Sequence, residues 1–350
     1  LEAHHGDGKL KGAVGMQYSD VDFAAFGEEA FITPTNTKDA GVFVLERWDD
    51  GGWGVEGGAR YERRELDNDT AGKRNYDSVS GSGSVFVRPL DGLFVSATAA
   101  YTERAPTQIE LFANGPHFAT NNYETGNASL KQEKALSIEV ATRYDKGPWS
   151  VEFNLFNAQF SDYIALVNRG DFWWSDDVNT GFAASETDPA IPAGATIIPV
   201  YQFTQRDATF TGGEFSIKRE LFSAASFKFT GDAQVSIVNA SFDGGGHPPR
   251  IPPRATTIGL TAESVKWTGR VEVQDSAKQK KVSDFETETD GYTFLNASLA
   301  FRPFGEEKDL TLRIDGRNLT DEEGRVAASF LKDELPLPGR DVRFTVSTSF

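Results

Sequence analysis

Cysteine is absent from this chain and methionine occurs once. With no cysteine there is neither a disulfide framework nor a thiolate metal site. Long hydrophobic runs are missing too, and no stretch of about 18 apolar residues exists to form a spanning helix. Positive charge is in deficit: 35 Lys and Arg stand against 52 Asp and Glu, a net charge of -17, with a pI near 4.7. That balance argues against nucleic acid as a partner. The acidic residues fall between apolar segments, as in Asp67 to Asp69 and the run D-F-E-T-E-T-D from Asp284 to Asp290, and read as solvated faces. No G-x-S-x-G, H-E-x-x-H or phosphate loop occurs, so no enzyme activity and no cofactor is expected. Leu1 opens the chain with neither an initiator Met nor a signal peptide, so the chain is expected to begin inside a mature protein.

What is present is alternation. In Arg340 to Phe350 (R-D-V-R-F-T-V-S-T-S-F), Val342, Phe344, Val346 and Phe350 share one face, and Asp341, Arg343, Thr345, Ser347 and Ser349 the other. Strict period two means a strand with one apolar and one polar face. A transmembrane strand takes about 9–11 residues, and outer-membrane barrels usually finish on an aromatic. The same pattern recurs at Leu136, Ile138, Val140 and Tyr144, at Trp149, Val151, Phe153 and Leu155, at Trp267, Gly269, Val271 and Val273, and at Leu310, Leu312 and Ile314. In a soluble sandwich, the alternative, the apolar face would meet a second sheet. Here the polar faces set Glu beside Arg, which a watery or protein-filled lumen requires.

Composition agrees. Mean hydropathy is -0.41 with 39% hydrophobic residues. A membrane protein this polar must cross with strands, because only every second residue then faces lipid. The 27 Phe and six Trp suit two aromatic girdles. The expected fold is all-β, a transmembrane antiparallel β-barrel occupying residues 1–350 as one domain or part of one.

Short turns alternate with long loops. The short ones are Asp49–Gly52, Arg88–Gly92, Asp145–Pro148, Glu220–Ala225, Ser264–Lys266 and Arg302–Asp309; the long ones are near 21–37, 66–74, 104–131, 169–207, 240–253, 281–290 and 322–338. This division predicts about fourteen strands, with short turns in the periplasm and long loops outside.

From Tyr101 the chain reads Y-T-E-R-A-P-T-Q-I-E-L-F, then G-P-H-F-A-T, then G-N-A-S-L-K-Q-E. Arg104, Ala105 and Pro106, Glu110, Leu111 and Phe112, and Gly126, Asn127, Leu130 and Glu133 in this order resemble the TonB-dependent outer-membrane receptors. Gly212, Gly213 and Glu214 are similar to an inward strand of that family, and Pro249 to Arg254 (P-R-I-P-P-R) to its proline-rich loop. Asn318 to Asp321 (N-L-T-D) and Pro338 to Arg340 (P-G-R) are similar to its closing motifs. The early loop E-E-A-F-I-T-P-T-N-T and the G-P-H-F-A-T loop are similar to a subgroup that includes zinc-uptake receptors. By their chemistry, most of these residues are barrel construction. Pro106 cannot donate to a ladder and ends a strand, Pro252 and Pro253 stiffen a loop, and Asn318 and Asp321 satisfy turn backbone.

The resemblance implies about 22 strands around an N-terminal plug, preceded by a box that binds the energy-transducing partner. Neither plug nor box is in these residues, and about eight strands' worth of sequence is missing. The chain is therefore expected to be the C-terminal part of such a receptor barrel in the Gram-negative outer membrane. The implied function is high-affinity uptake of a ferric siderophore, haem, cobalamin or metal ion, energised through TonB. Implied partners are outer-membrane lipid and lipopolysaccharide, the TonB complex through the absent N-terminal region, and an extracellular small-molecule or metal-chelate ligand. A passive porin-like channel and a surface adhesin barrel are the alternatives.

Site candidates follow from loop position. His117, near Glu110 and Glu124, is a candidate metal ligand, and His247 in D-G-G-G-H-P-P could join it from a neighbouring loop. Zinc wants several such ligands together. His4 and His5 read as a solvated end. Phe172, Trp173 and Trp174 form either a binding platform or an interfacial belt. Arg206 and Arg250 suit an anionic ligand, because guanidinium pairs well with carboxylates.

Overall fold

The computed structural model describes residues 1–27, 30–305 and 309–348. The chain begins with strands β1 (Glu2–His5), β2 (Leu10–Phe23), β3 (Thr35–Asp49), β4 (Trp53–Asn68), β5 (Gly72–Leu90) and β6 (Leu93–Arg104). A helix α1 (Gln108–Phe112), β7 (Asn114–His117), a 3-10 turn (Phe118–Thr120) and β8 (Asn122–Thr125) come next. After them run β9 (Glu133–Lys146), β10 (Trp149–Ser175), β11 (Thr180–Ala183), β12 (Thr196–Ala224), β13 (Phe227–Phe242) and β14 (Ala255–Glu263). The last are β15 (Trp267–Ser276), β16 (Tyr292–Phe301), β17 (Leu310–Arg317) and β18 (Asp341–Thr348).

All 18 strands belong to one sheet. The wall is an antiparallel meander of β2 to β6, β9, β10 and β12 to β18, each strand registered on the next. That agrees with the count of about fourteen strands expected from the division into short turns and long loops; β1, β7, β8 and β11 are four-residue additions. Among the described residues, no register joins β18 to β1 or β2. Phe350, expected to close the last strand, lies outside the described residues.

Cross-strand registers carry each apolar row around the wall. Val55 faces Val85, Val85 faces Ala97, Ala97 faces Val140, and Val140 faces Leu155. Val271 faces Leu260 and Ala297, and Ile314 faces Leu299 and Phe344. The large side chains of these rows remain exposed, Leu260 at 48% and Phe344 at 78%, as a surface built to meet lipid must be. The opposite face is held by ion pairs: Arg47 on Glu56 at 3.0 Å, Arg64 on Asp39 at 2.6 Å, and Arg270 on Asp232 at 2.6 Å and Glu272 at 2.7 Å. Gly259 lies between Asp232 and Glu272 in the register, and a Cβ there would sit 2.2 Å from the Arg270 guanidinium. The missing side chain is what lets Arg270 reach across.

Aromatic rows bracket the apolar band. At the short-turn end, Trp48 packs edge-on against Trp53 at 4.7 Å, Trp267 stacks on Phe301 at 4.3 Å, and Arg219 lies 4.1 Å over Trp149. At the loop end, Tyr18, Tyr61 and Tyr101 donate their hydroxyls to Asp20, Asp77 and Glu103. Trp53 and Tyr61 are eight residues apart on β4, roughly 26 Å along the strand and about 20 Å across a tilted wall. That is close to, and a little under, the roughly 25 Å apolar height of an outer-membrane barrel.

Two expectations need correction. Residues 169–207 are not one loop. β10 and β12 extend far past the tyrosine row and pair with each other out to Ser175 and Thr196, with β11 added on the other edge of β10, and together they form a tongue. Residues 66–74 likewise shrink to a short turn between Asn68 and Gly72. Both segments look loop-like because Gly, Asp and Pro interrupt them, yet long two-stranded ribbons absorb such residues at bulges; the register shifts between Asn168 and Phe172 mark one.

Candidate functional site

The buried hydrophobic core lies at the loop end, not within the membrane band. Leu66, Leu111, Phe112, Ala113, Leu130, Ile164, Leu166 and Phe203 form it, flanked by Phe31, Tyr76, Tyr201 and Phe330. Strands β4, β10 and β12 meet the excursion 105–132 there, so the loops fold into a cap.

Arg104 fastens that cap. Its guanidinium donates to Glu110 at 2.9 Å and to Glu133 at 3.3 Å. Glu110 also accepts from the backbone N–H of Thr107 at 2.7 Å while the Thr107 hydroxyl accepts from Glu110 N, a reciprocal capping box at α1. Glu133 takes the N–H of Ile164 at 2.8 Å. Gly126 passes so close beneath α1 that a Cβ would lie 2.6 Å from Leu111 and Phe112 backbone. The R-A-P, E-L-F and G-N-x-x-L-x-x-E segments are thus three parts of one clasp.

His117 sits on the β7–β8 hairpin. Its Nδ1 is 2.8 Å from Glu124 Oε1 and its ring stacks on Phe31 at 4.6 Å. Asn122, directly opposite His117, is fully buried with both amide atoms unpartnered. Glu110 is committed to Arg104. His247 is held elsewhere, Nδ1 at 2.8 Å from the Ala240 carbonyl. Among the described residues, no group of three His, Cys, Asp or Glu side chains is placed to hold a metal ion. His4 and His5 lie on β1, where each faces a carboxylate, Glu2 at 3.1 Å and Glu46 at 2.7 Å.

Phe172, Trp173 and Trp174 lie on the tongue. Trp173 is buried with Tyr123, Ile198 and Val200, and its ring tilts against Tyr123 at 5.6 Å. Trp174 faces Gly181, whose Cβ would strike the indole. Gln159 is in the same cross-strand row as Tyr101 and Leu136, so Trp173 stands roughly 40 Å further along β10 once its two bulges are discounted from an extended rise.

Arg206 caps the Phe242 ring at 4.2 Å and donates to Gly245 O at 2.8 Å. It belongs to an aromatic cluster of Phe160, Tyr163, Phe210 and Phe242. Arg250 lies on the other face of the β10–β12 ribbon. Its guanidinium packs 4.0 Å over Phe330 and gives Nη2 to Leu166 O at 3.1 Å. Burial pushes its pKa below the ordinary guanidinium value, against weaker support from Tyr201 and Glu286. Arg250 N–H donates to Glu286 at 3.1 Å. Glu286 comes from the acidic run expected to be solvated, yet its side chain is largely shielded. Lys332, 5% exposed, binds the Thr287 carbonyl and lies 3.6 Å from Glu286. Sequence reading missed Lys332 and Phe330: nothing in L-K-D-E-L marks a lysine that folding will bury.

The closing motifs also interlock. Asn318, 2% exposed with φ 46, donates to Glu322 O and Pro338 O and accepts from Glu322 N. Asp321 accepts from the Arg340 backbone N–H at 2.8 Å and pairs with its guanidinium at 3.4 Å. Those two interactions, the backbone bond first, hold the Asp321 carboxyl below its usual range.

An antiparallel wall with a lipid-facing apolar band, an ion-paired inner face and a folded loop cap at one end is a transmembrane β-barrel of outer-membrane type. The family model described as TonB dependent receptor-like, beta-barrel matches residues 3–319, and the chain belongs to that family. Its barrels are outer-membrane proteins. Among solved structures the copper transporter OprC superposes with a TM-score of 0.76 at 19% identity, over 100% of this chain and 55% of that one. The FrpB iron transporter from Neisseria meningitidis (F5-1 variant) gives 0.68 at 14%, over 99% and 54%. The ferric citrate transporter FecA gives 0.66 at 17%, over 100% and 53%. The chain therefore spans about half the length of these structures, and at such identities the likeness is one of fold.

Proposed function

We propose that this chain is the ligand-capturing part of a receptor barrel that imports a scarce nutrient, energised through TonB in the intact protein. The observation that carries this reading is the cap: a passive pore needs an open mouth, whereas here the loop end holds the buried core of Leu66, Leu111, Phe112, Leu130, Leu166 and Phe203. An ion-paired lumen face supplies a polar route beneath it. The nutrient is a ferric siderophore, haem, cobalamin or a metal ion. Solved barrels of this fold include a copper transporter, an iron transporter and a ferric citrate transporter, which supports metal or metal-chelate cargo. Its further partners are outer-leaflet lipid and lipopolysaccharide along the apolar band.

The test is uptake of labelled ferric siderophore, haem, cobalamin and free metal ions by cells carrying the complete gene, with the proton gradient intact and collapsed. Saturable uptake that stops on collapse is expected. Flux indifferent to the gradient would convert the reading to a porin, and cell adhesion without any uptake would convert it to an adhesin.

A further inference from the structure

Where loops 243–254, 277–291 and 318–340 meet the β10–β12 ribbon, the structure forms a small, open-mouthed cavity of about 50 Å³ lined by Asn168, Tyr201, Arg250, Phe285, Glu286 and Lys332. We propose that this cavity is a carboxylate-binding site, and that the cargo presents one free carboxylate to Arg250. The inference deepens the receptor reading and rests on it only for the statement that the carboxylate belongs to imported cargo.

Three independent features converge there. The first is charge. Arg250 is half-buried, and shielding a guanidinium without a counter-ion is costly, yet among the described residues no carboxylate is ion-paired with it. Its Nη2 is used on Leu166 O, while Glu286 binds the Arg250 main chain rather than the guanidinium. The other N–H donors of the fork, suited to a bidentate carboxylate, are left for the cavity. Glu286 meanwhile offsets Lys332, so of these three side chains the Arg250 guanidinium is the one without an ion-pair partner, while Asp284 and Asp333 stand at the exposed rim.

The second is backbone strain. Arg250 has φ 59 and Phe285 has φ 61, a left-handed conformation that is unfavourable for long or aromatic side chains and gathers at functional sites. Phe285 is nevertheless 70% exposed, with its ring over Gly170, where a Cβ would lie 2.6 Å away. The strain holds an aromatic at the rim instead of burying it.

The third is size and rim charge. A volume of about 50 Å³ takes one carboxylate group or a few waters, and no whole chelate. Asp284 and Asp333 also border the cavity and are exposed. They disfavour a ligand with further free negative charge near the mouth. The fit is therefore a single carboxylate arm on a molecule otherwise neutral or charge-neutralised by its metal.

The experiment uses trifluoroacetate as a fluorine-detected monocarboxylate on the full-length receptor in detergent, with trifluoroethanol as the neutral control. Saturable line broadening by trifluoroacetate alone, displaced by acetate, is expected. Arg250→Gln should weaken it about tenfold, the loss of a charge-assisted bidentate pair, and Arg250→Lys by less. Glu286→Gln, which keeps an acceptor for the Arg250 and Ser283 N–H groups but frees the Lys332 charge, should strengthen it. Since that variant moves affinity in the opposite direction, simple loss of folding cannot mimic the pattern. Equal binding to wild type and Arg250→Gln, no binding to wild type, or weaker binding to Glu286→Gln would each overturn the proposal. None of these results depends on uptake, so failure of the transport reading remains separately visible.

Discussion

Removing the Arg104 guanidinium would leave two largely shielded carboxylates, Glu110 and Glu133, without the cation they share. Arg104→Ala should cost about 1–3 kcal/mol, the range for stranding partly buried charge, and the loss should fall on the cap. Hydrogen exchange should rise across 105–131 while the strands stay protected; uniform loss of protection would show that the clasp holds more than the cap. Asn318 separates two causes at one residue. Its left-handed φ favours glycine or asparagine, while its amide makes the bonds to Glu322 and Pro338. Asn318→Ala should lose about 2–3 kcal/mol, both contributions together, and Asn318→Gly clearly less; equal melting losses would mean φ contributes nothing. Asp321 gives the pH dependence. Its native carboxyl titrates below the unfolded one, so its stabilisation is complete above the ordinary carboxylate pKa and disappears as pH falls through the depressed value. Acid should open loop 318–340, and Asp321→Asn should flatten that response. A variant whose acid opening matched wild type would remove Asp321 from the cause. These motif residues were legible in the sequence as construction. Which of them touch was not, because Arg104 and Glu133 are brought together only by the strand pairing of β6 with β9.

At the scale of the element, the two faces of one strand predict opposite tolerances. On β15, Val271 is exposed on the apolar face between Leu260 and Ala297, whereas Gln274 faces inward and donates to Glu272 at 2.7 Å. Val271→Arg should destabilise the barrel by about 2–4 kcal/mol, the cost of arginine near the bilayer midplane. Gln274→Arg, beside an acid and in a wet lumen, should stay within about 1 kcal/mol. Equilibrium unfolding from lipid reads both, and similar losses would mean the strand has no lipid side. This alternation was readable from residues alone because membrane strands keep period two under a hard constraint: every second side chain meets hydrocarbon. The tongue was not readable. Ile197, Ile198, Val200, Tyr201 and Phe203 are apolar on both faces since each face meets a different cluster, Phe203 with Leu166 and Val200 with Tyr123. Period two vanishes wherever both sides are covered, and Gly170 and Pro199 complete the likeness to a loop. Arg250, singled out for its charge, proved to lie with Glu286 and Lys332, partners that only the folding of three loops supplies.

The whole molecule divides its six tryptophans between two environments, and that division fixes how it stands in a membrane. Trp48, Trp53, Trp149 and Trp267 gather at the short turns, within or beside ring and cation contacts typical of an interfacial belt. Trp173 and Trp174 lie on the tongue, roughly 40 Å of strand beyond the tyrosine row, against Tyr123 and Gly181. Lipids brominated on their acyl chains quench indoles only on contact, so in such bilayers they should quench the first group and spare the second. Replacing Trp173 and Trp174 together by Phe should remove the unquenched emission while leaving the quenched share intact. If bromolipid instead reached those two, they would be an outer-leaflet girdle, the membrane band would rise along β10 and β12, and the Arg250 cavity would lie near lipid rather than in water. A cap that must meet a dissolved ligand cannot stand there. The quenching pattern therefore decides whether the folded loops lie in the water from which a ligand would arrive.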